Sequence, residues 1–153
     1  MRSPGTLQEL RTSVAEWEIF GTIPWQRPCV GGGVAVRHFR DLIAWQLAES
    51  FKADVFRLVR ESPRAAANQL FRDQLINAAS AVGKDIAEGF LRCSPREFCR
   101  FIDYALGSLG EAELRLEDGI ELDYFSAEDC QTARRYARRC LVAMIRLKQS
   151  QRQ

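Results

Sequence analysis

One stretch punctuates the whole chain: Gly83-Lys84-Asp85-Ile86-Ala87-Glu88-Gly89-Phe90-Leu91-Arg92-Cys93-Ser94-Pro95-Arg96-Glu97-Phe98. Gly89 suits the left-handed backbone position just past a helix C-terminus, where a Cβ would clash. Ser94 then caps a new helix, Pro95 fits its first turn and Glu97 completes a capping box. A long amphipathic helix follows, predicted from Phe98 to Ile120. Whatever the fold is, it contains a helical hairpin with its corner here.

The same periodicity fills the rest of the chain from Phe39 onward. Ala44, Ala48, Phe51, Val55 and Leu58 step by four and three, with Leu42, Leu47 and Val59 widening the stripe, and predict a first helix ending near Glu61. Ser62 and Pro63 repeat the cap-then-proline start. The second helix carries Phe71, Leu75, Ala78, Val82 and Ile86, with small residues around Gly83 that allow close backbone approach. The third shows Phe98, Ile102, Ala105, Leu109, Ala112 and Leu116. A fourth starts at Ser126, capped with Asp129 three residues on, and runs through Cys130, Ala133, Ala137, Cys140, Met144 and Leu147. Four helices of about 22 residues joined by short turns predict an all-α, antiparallel up-down-up-down four-helix bundle over residues 37–153.

Residues 1–36 read differently. Leu7, Leu10, Val14 and Trp17 recur at helical spacing, and Pro24, Pro28 and Gly31-Gly32-Gly33 then break regular structure. This is an N-terminal extension or linker, or else an untranslated ribosome-binding stretch ahead of a start at Val34 or Val36. The triple glycine is no phosphate loop, because no Gly-Lys-Ser/Thr follows it.

Enzyme chemistry finds little here. His38 is the only histidine of the 153 residues, so no His-paired nucleophile is available. Glu88, Glu111 and Glu113 lack the histidines of a carboxylate di-metal site. Cys93 precedes a helix N-terminus but has no base or resolving partner near it in sequence. The expectation is no catalytic residue, no metal and no cofactor. Five cysteines form no CxxC pair, no export signal is visible and no apolar run approaches the roughly 20 residues of a membrane span. Reduced thiols and a cytoplasmic location follow as expectations.

The net charge of +2 is small, yet its distribution is uneven. From Cys130 onward the chain holds Arg134, Arg135, Arg138, Arg139, Arg146, Lys148 and Arg152 and no acid. Glu111, Glu113, Glu117, Asp118, Glu121, Asp123, Glu128 and Asp129 precede them with only Arg115 among them. Two readings stay open. In the first, Glu113 and Glu117 pair with Arg134 and Arg138 across a hairpin. In the second, Arg134, Arg135, Arg138, Arg139, Arg146 and Lys148 form a basic stripe for phosphate backbones, with Arg146 and Lys148 beyond the reach of any obvious acid. The apolar residues also exceed one stripe per helix. Trp45, Phe56, Phe101 and Tyr104 are the candidates for an oligomer interface, against the simpler use of filling a wide monomer core.

Three motifs in order, Phe39-Arg40-Asp41-Leu42-Ile43-Ala44-Trp45-Gln46-Leu47-Ala48, Ile86-Ala87-Glu88-Gly89-Phe90, and Glu97-Phe98-Cys99-Arg100-Phe101 with Ala105-Leu106-Gly107-Ser108-Leu109-Gly110-Glu111-Ala112-Glu113, resemble the bacterial four-helix-bundle family also called the 23S rRNA-intervening-sequence proteins. The resemblance spans about residues 39–148. It departs at Gly83, where the family commonly has proline, and at Asp85, where asparagine is usual. It makes Glu88, Gly89, Ser94, Glu97 and Gly107 structural motif positions. It implies a homo-oligomer, usually a pentamer, without enzymatic activity. The chain is similar too to the accessory variability determinant proteins of diversity-generating retroelements, which bind nucleic acid and a reverse transcriptase. Two functions follow as expectations: an oligomeric protein binding RNA or DNA, or a scaffold docking a partner such as a reverse transcriptase.

Overall fold

Every element in the computed structural model, which describes residues 36–92 and 94–151, is helical. A 3₁₀ turn (Phe39–Asp41) leads into α1 (Ile43–Glu61), α2 (Pro63–Ala67), α3 (Gln69–Leu91), α4 (Pro95–Glu121) and α5 (Gln131–Ser150). Among the described residues there is no strand. The readings of residues 1–35, including the stripe from Leu7 to Trp17, lie outside the described residues, as does that of Cys93.

The apolar stripes fold as their spacing predicts. α1 buries Ala44, Leu47, Ala48, Phe51, Val55, Leu58 and Val59, and α4 buries Phe98, Ile102, Ala105, Leu109, Ala112 and Leu116. Phe51, Leu75, Ile86, Ile102, Leu109, Leu116 and Met144 fill the centre of one core, together with Cys130 and Cys140. The Cys140 Sγ donates to the Ala44 carbonyl at 3.5 Å.

Helix boundaries differ from expectation in four places. α1 begins at Ile43, not Phe39, because His38 caps the preceding turn. Its Nδ1 accepts from the Arg40 N–H at 3.1 Å, and the Asp41 carboxylate takes the His38 N–H at 3.1 Å. The predicted second helix is split. Ser62 caps α2 as foreseen, its Oγ accepting from the Ala65 N–H at 3.3 Å. Asn68 then leaves helical geometry and caps α3, its Oδ1 accepting from Phe71 N–H at 3.1 Å. A short amide side chain that satisfies the backbone locally competes with helix continuation.

Gly89 is the third correction. It sits inside α3, buried, and the helix continues to Leu91. What the position needs is space: a Cβ there would lie 2.6 Å from Phe101 Cβ and 3.0 Å from Phe98 Cδ2. The left-handed residue is Asp123 instead, at φ 54°. It closes α4 with a Schellman motif, in which the Asp123 N–H donates to the Ile120 carbonyl at 3.1 Å and the Tyr124 N–H to the Gly119 carbonyl at 2.8 Å. Ser94 caps α4 as predicted, its Oγ accepting from the Glu97 N–H at 3.5 Å. Fourth, Ser126 and Asp129 do form their reciprocal box, with bonds of 3.0 and 3.1 Å, but it closes a turn and α5 begins at Gln131.

α3 packs most extensively on α4, α1 lies between α3 and α5, and α4 touches α5 more lightly. Arg57 ties the end of α1 to the approach of α5. Its Nε reaches Asp54 Oδ1 at 2.7 Å, its Nη1 reaches Glu61 at 2.6 Å, and its Nη2 donates to the Asp129 carbonyl at 3.2 Å. Asp54 is buried, and its Oδ2 has no hydrogen-bond partner among the described residues.

Asp85 is also buried, with Ser108 Oγ donating to it at 3.3 Å. Burial pushes its carboxyl above the usual aspartate range, while Lys84 and Ser108 hold it partly down. The folded state therefore holds this proton more tightly than the unfolded chain. Stability falls as pH rises from the unfolded aspartate value through the raised folded one, and the cost is complete above it. Asp85→Asn removes the charge at constant shape. It is expected to gain about 1 kcal/mol at pH 7 and to match the parent near pH 3, as read by thermal melts at the two pH values.

Candidate nucleic-acid interface

α5 is built on a narrow apolar stripe. Ala133, Ala137, Cys140 and Met144 are buried, which turns the helix's arginines outward. Arg135, Arg138, Arg139 and Arg146 are exposed and Arg134 is half-buried. None of the five lies within ion-pair distance of a carboxylate among the described residues. Arg135 lies over the Tyr136 ring at 5.9 Å, a weak cation–π contact at an exposed position.

Helical spacing sorts these side chains into two strips, since residues four and seven apart share a face. Arg134 and Arg138 form one, continued by Leu141 and Ile145. Arg135, Arg139 and Arg146 form the other, with Val142 between them. The first strip borders α4. There the Glu113 carboxyl is pushed up by burial and by Glu117, and held down by Arg134 and Arg138. The acidic and basic blocks thus face each other through their fields and not through direct ion pairs.

Lys148 corrects the expectation that it stands clear of acids: it pairs with Asp103 of α4 and is largely covered. Cys99 Sγ donates to the Lys148 carbonyl at 3.9 Å in the same junction. Lys148 therefore belongs to the α4–α5 contact, and among the described residues Arg146 is the unpaired cation at this end of α5. Arg152 lies outside the described residues.

Two of the four aromatic candidates meet, with Phe101 and Tyr104 of α4 edge-to-face at 5.5 Å between ring centres. Trp45 is half-buried edge-on to Phe39 at 5.4 Å, and Phe101 is half-buried in the space left by Gly89 with Arg92 over it at 5.3 Å. Phe56 and Tyr104 are exposed, on α1 and α4, and the Tyr104 hydroxyl accepts from Arg100 Nε at 2.7 Å. Sequence reading missed a different exposed group, Leu141, Val142 and Ile145 on α5, and Leu114 on α4. Their signal was present, because none falls on its helix's buried stripe.

Of the motif positions, Glu88 accepts from Arg92 at 2.6 Å and Glu97 lies 3.9 Å from Arg100. Gly107 is exposed, with nothing within 4 Å of a Cβ built there. Among the described residues no three His, Cys, Asp or Glu side chains gather into a metal site, and no helix is long and apolar enough to cross a membrane.

Comparison with known proteins places this arrangement. A solved structure of a protein of unknown function from the S23 ribosomal protein family of Bacteroides thetaiotaomicron VPI-5482 superposes with a TM-score of 0.61 at 18% identity, covering 69% of this chain and 98% of the other. That likeness concerns the fold. No curated protein matches the chain. Residues 40–145 match the 23S rRNA-intervening sequence protein family. With that match running from the turn before α1 almost to the end of α5, the chain belongs to the 23S rRNA-intervening sequence protein family.

Proposed function

We propose that the helices form an up-down-up-down bundle that assembles with copies of itself, works without catalysis in the cytoplasm, and binds nucleic acid along α5. The observation that carries this reading is the set of outward arginines on α5 that no carboxylate pairs among the described residues. Guanidinium groups match phosphate oxygens in geometry and stay charged at any working pH. The family's description points to RNA as the first ligand to try. Arg139 and Arg146 lie on the strip turned away from the acids of α4, so their charge is the least compensated.

Fluorescence anisotropy with a labelled structured RNA tests the reading. Binding should weaken steeply with salt. Arg139→Ala with Arg146→Ala should cut affinity between about tenfold and a hundredfold and make the log–log salt slope shallower by about 1 to 2. Salt-insensitive binding, or no binding at low salt, would sink it.

A further inference from the structure

The outer faces of α4 and α5 complement each other in charge and shape, and among the described residues neither the α5 arginines nor Glu111, Glu117 and Glu121 of α4 make an ion pair. On α5, Arg134 and Arg138 are followed on one strip by Leu141 and Ile145, which are 38% and 41% exposed. On α4, Glu111, Glu117 and Glu121 are exposed and have no cation within ion-pair distance among the described residues. Leu114 beside them is 55% exposed, and Gly107 and Gly110 leave open space where other residues would carry a Cβ.

We infer that a second copy of this chain docks the outer face of its α4 on the Arg134–Ile145 strip of α5. The spacing fits an antiparallel pairing. Arg138 to Ile145 is seven residues, and so is Glu117 to Gly110, about 10 Å along either helix. When Arg138 meets Glu117 and Arg134 meets Glu121, Leu141 lies against Leu114 and Ile145 reaches the open space at Gly110. Charge complementarity selects the occupant, because the acids that match these arginines and the space that matches these apolar side chains lie on this same chain. Within one protomer, Arg134 and Arg138 already face Glu113 of α4 in the same sense. Arg135, Arg139 and Arg146, on the other strip, remain open to nucleic acid. The inference rests on the self-association half of the function proposed above and names the surfaces that carry it.

Sedimentation and light scattering on the full chain test it. Glu117→Arg with Glu121→Arg, and separately Arg134→Glu with Arg138→Glu, should each weaken association at least tenfold, and an equimolar mixture of the two variants should restore it. Gly110→Gln fills the open space without disturbing its own protomer. It should also reduce the mass to that of a monomer, with unchanged circular dichroism and a melting temperature no lower than the parent's. A parent chain that associates while these variants behave identically to it overturns the inference and leaves self-association standing. Reversals that dissociate the assembly but fail to restore it on mixing also overturn the inference. A monomeric parent overturns both the inference and the oligomer, and RNA binding by the Arg139 and Arg146 variants is read independently of either.

Discussion

Gly89→Val is expected to destabilise the fold by about 3 kcal/mol and to lower its melting temperature by roughly 12 °C. The added Cβ would lie 2.6 Å from Phe101 Cβ, an atom fixed to the backbone of α4 that cannot rotate away. Phe98 Cδ2 at 3.0 Å and Phe101 Cγ at 3.3 Å close the remaining directions. Relief requires α3 and α4 to separate, and theirs is the most extensive helix pairing in the molecule. Valine recovers only a few tenths of a kcal/mol of helix propensity over glycine, which does not offset overpacking of this size. Urea melts followed at 222 nm measure it, and an unchanged midpoint would mean that the two helices do not approach so closely.

The second large effect is an asymmetry around one ion pair. Arg57→Ala should cost about 3 kcal/mol, because it leaves the Asp54 carboxylate buried and without the one side-chain hydrogen bond it makes among the described residues. The bonds to Glu61 and to the Asp129 carbonyl vanish too, but both acceptors are exposed and turn to water. Asp54→Leu should cost less than about 1 kcal/mol. It removes the buried charge, while Arg57 is one-third exposed and keeps its other two partners. Equal losses in the two variants, measured by denaturant unfolding, would refute the argument.

Much of the fold was legible because burial in a helix is periodic. The stripes from Ala44 to Leu58 and from Phe98 to Leu116 need only their own spacing, so the sequence alone predicts them. What escaped depends on partners far away in sequence. Asn68 looks like any polar residue until its amide meets the Tyr124 hydroxyl at 2.9 Å and its own Oδ1 starts α3. Propensity assigns Gly89 to a turn, whereas its reason lies in Phe101 on the next helix. Asp123 holds a left-handed position that propensity alone gives to glycine. The candidate interface was half legible. A count of charges finds the arginines of α5 and their spacing divides them into two strips, but only the packed neighbours show that Lys148 is committed to Asp103 and that the Arg134–Arg138 strip borders α4.

The thiols at the centre of the molecule carry a chemical consequence. Burial pushes Cys130 up and Cys140 up to about 12, so neither presents a thiolate in the folded chain at neutral pH. Cys99 is only half-buried. Among the three described cysteines, an alkylating reagent should therefore mark Cys99 first and reach the other two only when the helices part. Cys130 sits at the mouth of α5 and Cys140 beside the first turn of α1, so their separate labelling rates, read by mass spectrometry, would time the opening of the two ends of the molecule.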